Sequence, residues 1–273
     1  MMKKSINVMV AKKVSFHEGL KIIKDAGFEA VELNLSGPLN IDSTQDEVKR
    51  VRDEVLESGL EIASLLGGWY SLISGRPDIR KEAEEELVKG LNICKNLGTD
   101  ALLVVPGALR PSPEEEEPVS YDAAYERSLE SIKKVIPAAE ENGVCICVEN
   151  VWNKFLLTPV EMKSFVGEIN SEFAGVYFDV GNIILTGFPE MWIKILGTMI
   201  KRIHLKDFKA SVGNAGGFCG LLEGDVNWPA VTKALRDTGY DSYLTAEYGP
   251  YKYYPETIIY HLSLSMDKIM GRK

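Results

Sequence analysis

ENGVCICVEN (141–150) reads as the end of one helix, a turn and a strand. Gly143 tolerates the left-handed backbone of a helix C-cap. The run after it alternates, so Cys145, Cys147 and Glu149 share one strand face. The same punctuation recurs in DAGFEA (25–30), ESGLEI (57–62), NLGTDA (96–101) and DTGYDS (237–242). Apolar or β-branched runs stand at INVMV (6–10), AVELNL (30–35), EIASLL (61–66), ALLVVP (101–106), VCICVEN (144–150), AGVYFDV (174–180), IKRIHLKD (200–207) and YLTAEY (243–248), making eight candidate strands. Helix-length segments lie between them, with apolar residues three and four apart, as at Phe16, Leu20 and Ile23 or Val48, Val51 and Val55.

Eight alternations of strand and helix in 273 residues predict a parallel sheet closed into a (β/α)8 TIM barrel, one domain spanning 1–273. VMVAKKVSF (8–16), after the first strand, lacks the glycines of a nucleotide-binding fingerprint, which argues against an open doubly wound sheet. The net charge of −9 has the wrong sign for neutralising phosphates along a nucleic acid, so no nucleic-acid partner is expected. A mean hydropathy of −0.07 with no apolar run of spanning length predicts no membrane span. The opening MMKKSINVMV is too short in apolar residues for a signal-peptide core, and a cytoplasmic location is the expectation. Cys94, Cys145, Cys147 and Cys219 form no CxxC pair and read as buried, reduced thiols. Two loops are long: GALRPSPEEEEPVS (107–120), whose Glu114–Glu117 run reads as a solvated stretch, and the Gly-rich 208–228.

Barrel enzymes place their chemistry at the C-terminal ends of the strands. The inward parity of the fifth to eighth strands ends on Glu149, Asp179, His204 and Glu247, one strand–helix unit apart each time. Three carboxylates gathered at one mouth repel one another unless a cation binds them all. The quartet is therefore expected to hold a divalent metal ion. An oxygen-rich set with a single imidazole suits Mn2+, Mg2+ or Co2+, with Zn2+ a further option.

At this point the chain resembles the xylose isomerase-like barrels, which include ketose 3-epimerases, sugar-phosphate epimerases and hydroxypyruvate isomerases. The resemblance runs through GFEAVEL (27–33), VENVWNKFLLTP (148–159), FDVGN (178–182), RIHLKD (202–207) and EGDVNWPAVTKALRDTGYDSYLTAE (223–247), in that order. It implies that Glu149, Asp179, His204 and Glu247 are the metal ligands and that Glu149 and Glu247 form the acid and base pair. The implied partner is a sugar, sugar phosphate or keto-acid. The implied activity is proton transfer next to a carbonyl through a metal-stabilised enediolate. Asn182 stands where several epimerases of this resemblance carry a substrate-binding His, which weighs against a free-ketose 3-epimerase.

Around the quartet, Glu32 and Asn34 share inward parity on the second strand and are candidate polar flanks for substrate. Trp69, after the third strand, offers a ring face to sugar carbons. Lys206 is placed to meet an anionic substrate group or to pair with Asp207. Arg110 is a candidate for a phosphate or carboxylate, or a partner of Glu114 or Glu115. Trp152, Asn153 and Asn182 follow strand ends and are further substrate-binding candidates. His17 and His261 read as surface or packing residues. GNAGG (213–217) offers backbone N–H groups to a phosphate.

Three other readings compete. A keto-polyol dehydratase or lyase expels a hydroxyl from the same enediolate. An apurinic-site endonuclease needs more histidines than the three present and a less negative chain. A non-catalytic sugar-binding barrel has no need for both glutamates. A homo-oligomer stays open, since YGPYKYYPETIIYHLSLSM (248–266) reads either as an interface patch or as the last helix, over Ile258–Ile269.

Overall fold

The computed structural model describes residues 2–110 and 118–272; the Glu114–Glu117 run lies outside them. Ten strands and eight α-helices follow one another: β1 Lys3–Asn7, α1 Phe16–Asp25, β2 Ala30–Asn34, α2 Gln45–Glu57, β3 Glu61–Trp69, α3 Pro77–Leu97, β4 Ala101–Val105, α4 Tyr121–Asn142, β5 Cys145–Glu149, α5 Pro159–Ile169, β6 Ala174–Asp179, α6 Pro189–Leu196, β7 Ile200–Leu205, β8 Asp207–Phe208, β9 Phe218–Cys219, α7 Trp228–Asp237, β10 Tyr243–Ala246 and α8 Thr257–Met270. Eight of the strands close into a barrel in the order β1-β10-β7-β6-β5-β4-β3-β2, while β8 and β9 pair as a separate antiparallel ribbon. Every barrel pairing is parallel.

Local chemistry accounts for the helix boundaries. Thr44 and Glu47 form a reciprocal capping box at the start of α2. Gly98 and Gly143 end α3 and α4 with φ of 77° and 66°, a conformation costly for any residue with a Cβ.

The main core fills the layer between barrel and helices, where Leu20, Ile23, Val55, Leu87, Leu91, Ile132 and Phe165 meet the outward residues of the strands. Full burial of such side chains contributes about 1.5–3 kcal/mol each. Inside the barrel the apolar cluster is small: Ala101, Leu103, Val105, Cys145, Cys147 and Tyr177. Ser5, Asn7, Glu32, Ser64, Arg202, His204 and Thr245 are also buried. The four cysteines are free and buried, as expected. His17 pairs at the surface with Glu54, and His261 meets the Tyr251 hydroxyl. Among the described residues no helix is long and apolar enough to cross a membrane.

Four boundaries differ from the sequence reading. The first strand lies earlier, because Asn7 accepts a hydrogen bond from the Met9 N–H and turns Val8–Ala11 into a 3-10 helix. The third strand continues through Gly67, Gly68 and Trp69, past a register shift between Leu66 and Gly68. A Cβ at Gly67 would lie 2.7 Å from the Tyr70 hydroxyl and 2.8 Å from the Leu103 carbonyl, so only glycine fits there. The seventh strand stops at Leu205, and Asp207 begins the ribbon instead. The eighth ends at Ala246, although the Glu247 N–H still donates to the Leu205 carbonyl at 3.2 Å and so fixes that glutamate beside β7.

Candidate metal centre

Four neighbouring strands deliver one side chain each to the C-terminal end of the barrel. Asp179 and His204 are direct cross-strand partners in the β6–β7 register, Glu149 ends β5, and Glu247 follows β10. One donor atom from each of Glu149, Asp179, His204 and Glu247 lies within 4.8 Å of the other three. His204 Nδ1 is 3.1 Å from Glu149 Oε1, 2.8 Å from Glu247 Oε2 and 3.9 Å from Asp179 Oδ2.

The ring is oriented from beneath. His204 Nε2 faces Glu32 Oε1 at 2.8 Å, and the same carboxylate accepts from Asn7 Nδ2 at 2.7 Å, Ser64 Oγ at 2.8 Å and the Tyr177 hydroxyl at 2.6 Å. A carboxylate on the far nitrogen fixes the tautomer and raises the basicity of the near one, the usual support for a metal-bound imidazole. Glu32 is fully buried. Parity put it inside the barrel, and the structure places it against His204 Nε2, on the side of the ring away from Glu149, Asp179 and Glu247.

Electrostatics set the members apart. Burial pushes the Glu149 carboxyl up, partly offset by its bond to His204 and the Lys206 charge. Burial likewise dominates at Asp179, raising it against the pull of Lys206 and His204. At Glu247 burial is outweighed by the charges of His204 and Lys206, which hold the carboxyl well below the usual range. Burial opposes the His204 imidazolium, yet Glu32 and its anionic neighbours push that group well above its ordinary value.

The donor set fits a divalent cation. Asp179 Oδ2 and Glu247 Oε2 are buried and receive no well-formed hydrogen bond, a costly arrangement for carboxylate oxygens unless a cation binds them. Glu149, Asp179, His204 and Glu247 are the residues that would hold it, through three oxygens and one nitrogen.

The other expected residues divide. Lys206 Nζ lies 3.0 Å from Asp179 Oδ2 and 2.9 Å from Glu247 Oε2, so it joins the centre and does not pair with Asp207. Trp69 at the end of β3 and Trp152 after β5 keep 58% and 41% of their surface exposed. Trp152 is held by its indole N–H on the Asn182 carbonyl at 2.6 Å and by edge contact with Phe208. Asn153 is a loop brace: its amide donates to the Gly107 carbonyl at 2.8 Å and accepts from the Phe155 N–H at 3.0 Å. Asn182 likewise donates to the Asn150 carbonyl at 2.9 Å, while its own N–H binds Asp179 Oδ1 at 2.9 Å. Both asparagines brace backbone in the frame of the site. Arg110 is exposed, and its expected partners Glu114 and Glu115 lie outside the described residues.

Two supporting residues escaped the sequence reading. Asn150 takes the Asp179 N–H and donates to the Asp179 carbonyl, both at 2.8 Å, locking the backbone that carries a donor. Asp207, fully buried, accepts from the N–H groups of Phe208, Leu222 and Val226 and from the Trp228 indole, gathering the long loop after β7. For Asn150 the available signal was a polar residue directly after the inward Glu149.

Comparison with known proteins agrees with this fold. Residues 20–264 match the family described as xylose isomerase-like TIM barrel. A Haemophilus influenzae protein provisionally assigned as an L-ribulose-5-phosphate 3-epimerase is 25% identical over 72% of this chain and 69% of its own. An inosose dehydratase of Clostridium perfringens is 20% identical over 87% of this chain and 84% of its own. The crystal structure of a D-psicose 3-epimerase with D-tagatose, from Clostridium cellulolyticum H10, superposes with a TM-score of 0.83 at 18% identity, covering 99% of both chains. With eight parallel strands closed around an acidic centre and a family match over most of its length, this chain belongs to the xylose isomerase-like TIM barrel family.

Proposed function

We propose that this chain is a divalent-metal-dependent isomerase or epimerase of a sugar or sugar phosphate, moving a proton at a carbon next to a carbonyl. The observation that carries the reading is the convergence of Glu149, Asp179, His204 and Glu247 with two of their buried oxygens left without hydrogen bonds. A bound divalent ion supplies Lewis acidity, polarising a carbonyl and acidifying the neighbouring C–H. Glu149 and Glu247 approach from non-adjacent strands, which supports their assignment as a carboxylate pair serving opposite faces of one carbon. One takes the carbon-bound proton. The other returns a proton to the same carbon with inversion, or to its neighbour with transposition of the carbonyl. The exposed rings of Trp69 and Trp152 are the proposed apolar flanks for the sugar carbons.

The likeness to an inosose dehydratase over most of the chain favours a second reading, a keto-polyol dehydratase. There the same proton removal is followed by departure of a hydroxyl, which leaves as water on receiving a proton from the second carboxyl group. The discriminating experiment is incubation of metal-loaded protein in D2O with ketoses, ketose phosphates and keto-acids, followed by NMR. Deuterium next to the carbonyl with conserved composition supports the isomerase, and a product lacking one water supports the dehydratase. No exchange across the panel with metal bound would sink both.

A further inference from the structure

We infer that Lys206 is a built-in competitor for the metal: its ammonium occupies the same two carboxylate oxygens a divalent ion would use, and metal binding displaces it. The inference rests on the metal-centre reading proposed above. Lys206 Nζ lies 3.0 Å from Asp179 Oδ2 and 2.9 Å from Glu247 Oε2. Both oxygens belong to the converging quartet, and both lack a well-formed hydrogen bond despite the nearby ammonium. The ammonium is therefore held mainly by charge, shared between two carboxylate oxygens, and not by a full set of directional bonds.

Two cations cannot share those lone pairs. An ammonium and a divalent ion within a few ångströms repel, and in a buried site the repulsion is poorly screened. The lysine has somewhere to go: its side chain keeps 19% of its surface exposed, and Glu247 keeps 29%, so both reach solvent. Its Nζ already stands 5.8 Å from the Phe218 ring centroid, a cation–π contact within reach of small movements of the ammonium. His204 cannot play this part, because Glu32 holds its far nitrogen from below. The consequence is a metal site of moderated affinity, whose charge is balanced by the chain's own lysine before an ion enters.

Calorimetric titration with Mn2+ tests this on wild type, Lys206→Met and Lys206→Arg. Removing the competing charge should tighten Mn2+ binding about tenfold or more, while Lys206→Arg should stay near wild type. Unchanged or weaker binding by Lys206→Met overturns the inference and leaves the metal centre standing. No binding by any of the three overturns the metal centre and the inference together. A second readout needs no variant: brief acylation of wild type, followed by peptide mass spectrometry. Labelling of Lys206 should rise with saturating Mn2+ relative to chelator-treated protein, and equal labelling refutes displacement.

Discussion

Strand β7 carries a cation at each end of its inward face, and the two ends treat their cations differently. At the N-terminal end Arg202 donates to the Ala63 carbonyl at 2.7 Å, the Lys201 carbonyl at 2.8 Å and Ser242 Oγ at 3.1 Å, and it pairs with Asp100. Every contact there is a formed hydrogen bond. At the C-terminal end His204 bonds Glu32 and Glu149, while Asp179 Oδ2 and Glu247 Oε2, which face Lys206, lack a well-formed hydrogen bond. The lower end is hydrogen-bonded throughout and the upper end leaves two carboxylate oxygens unsatisfied, the division that the proposed metal site requires of the two faces of such a barrel.

Substitutions at the upper end should therefore cost activity and spare the fold. Glu149→Gln and Glu247→Gln should each lower turnover by about 10²–10⁴-fold. The melting temperature of Glu149→Gln should hold or rise, since burial disfavours that carboxylate, whereas Glu247→Gln should lower it modestly, since it removes the anionic partner of His204 and Lys206. Turnover assays beside thermal melts check this, and a large loss of stability would erase the contrast. One layer down, Glu32→Gln should weaken metal affinity by about 10–100-fold through misorientation of His204, measurable by titration with Mn2+.

The lower end should show the converse. Arg202→Met strands the Ala63 carbonyl and the Ser242 hydroxyl and should cost roughly 2–4 kcal/mol in denaturant unfolding, with the folded fraction still active. Also at that end, Glu61 is held below its ordinary 4.5 by hydrogen bonds from Lys3 and Tyr243. A depressed carboxyl contributes stability above pH 4.5, and that contribution is lost as pH falls through the lowered value. Glu61→Gln should therefore flatten the acid limb of stability, by less than about 1 kcal/mol because the pair is half exposed. An unchanged acid limb would show that the contact is inert.

Legibility in the sequence followed the range of each interaction. Gly98 and Gly143 were readable as helix ends because a left-handed cap is a property of a few adjacent residues. The quartet was readable as convergent because strand parity and the barrel's closure leave little freedom at strand ends. Strand limits were less so: Asn7 curtails β1 through its own side chain, and Gly67 prolongs β3 by admitting the Leu103 carbonyl.

The amino-acid sequence alone determined the barrel, the strand faces and the four metal-competent side chains that converge at its mouth, all set by local periodicity and turn chemistry. Only the tertiary structure decided depth and partnership. Glu32 shares its inward parity with residues at the mouth, yet the stagger of the strands sinks it beneath His204. Asn153 and Asn182 donate to the distant Gly107 and Asn150 carbonyls, contacts that no local pattern announces. Lys206 turns to Asp179 and Glu247 because Asp207, its neighbour in sequence, is already filled by N–H donors from the loop it anchors. Parity is a one-strand property, whereas hydrogen-bond satisfaction depends on which loops and strands meet once the barrel closes.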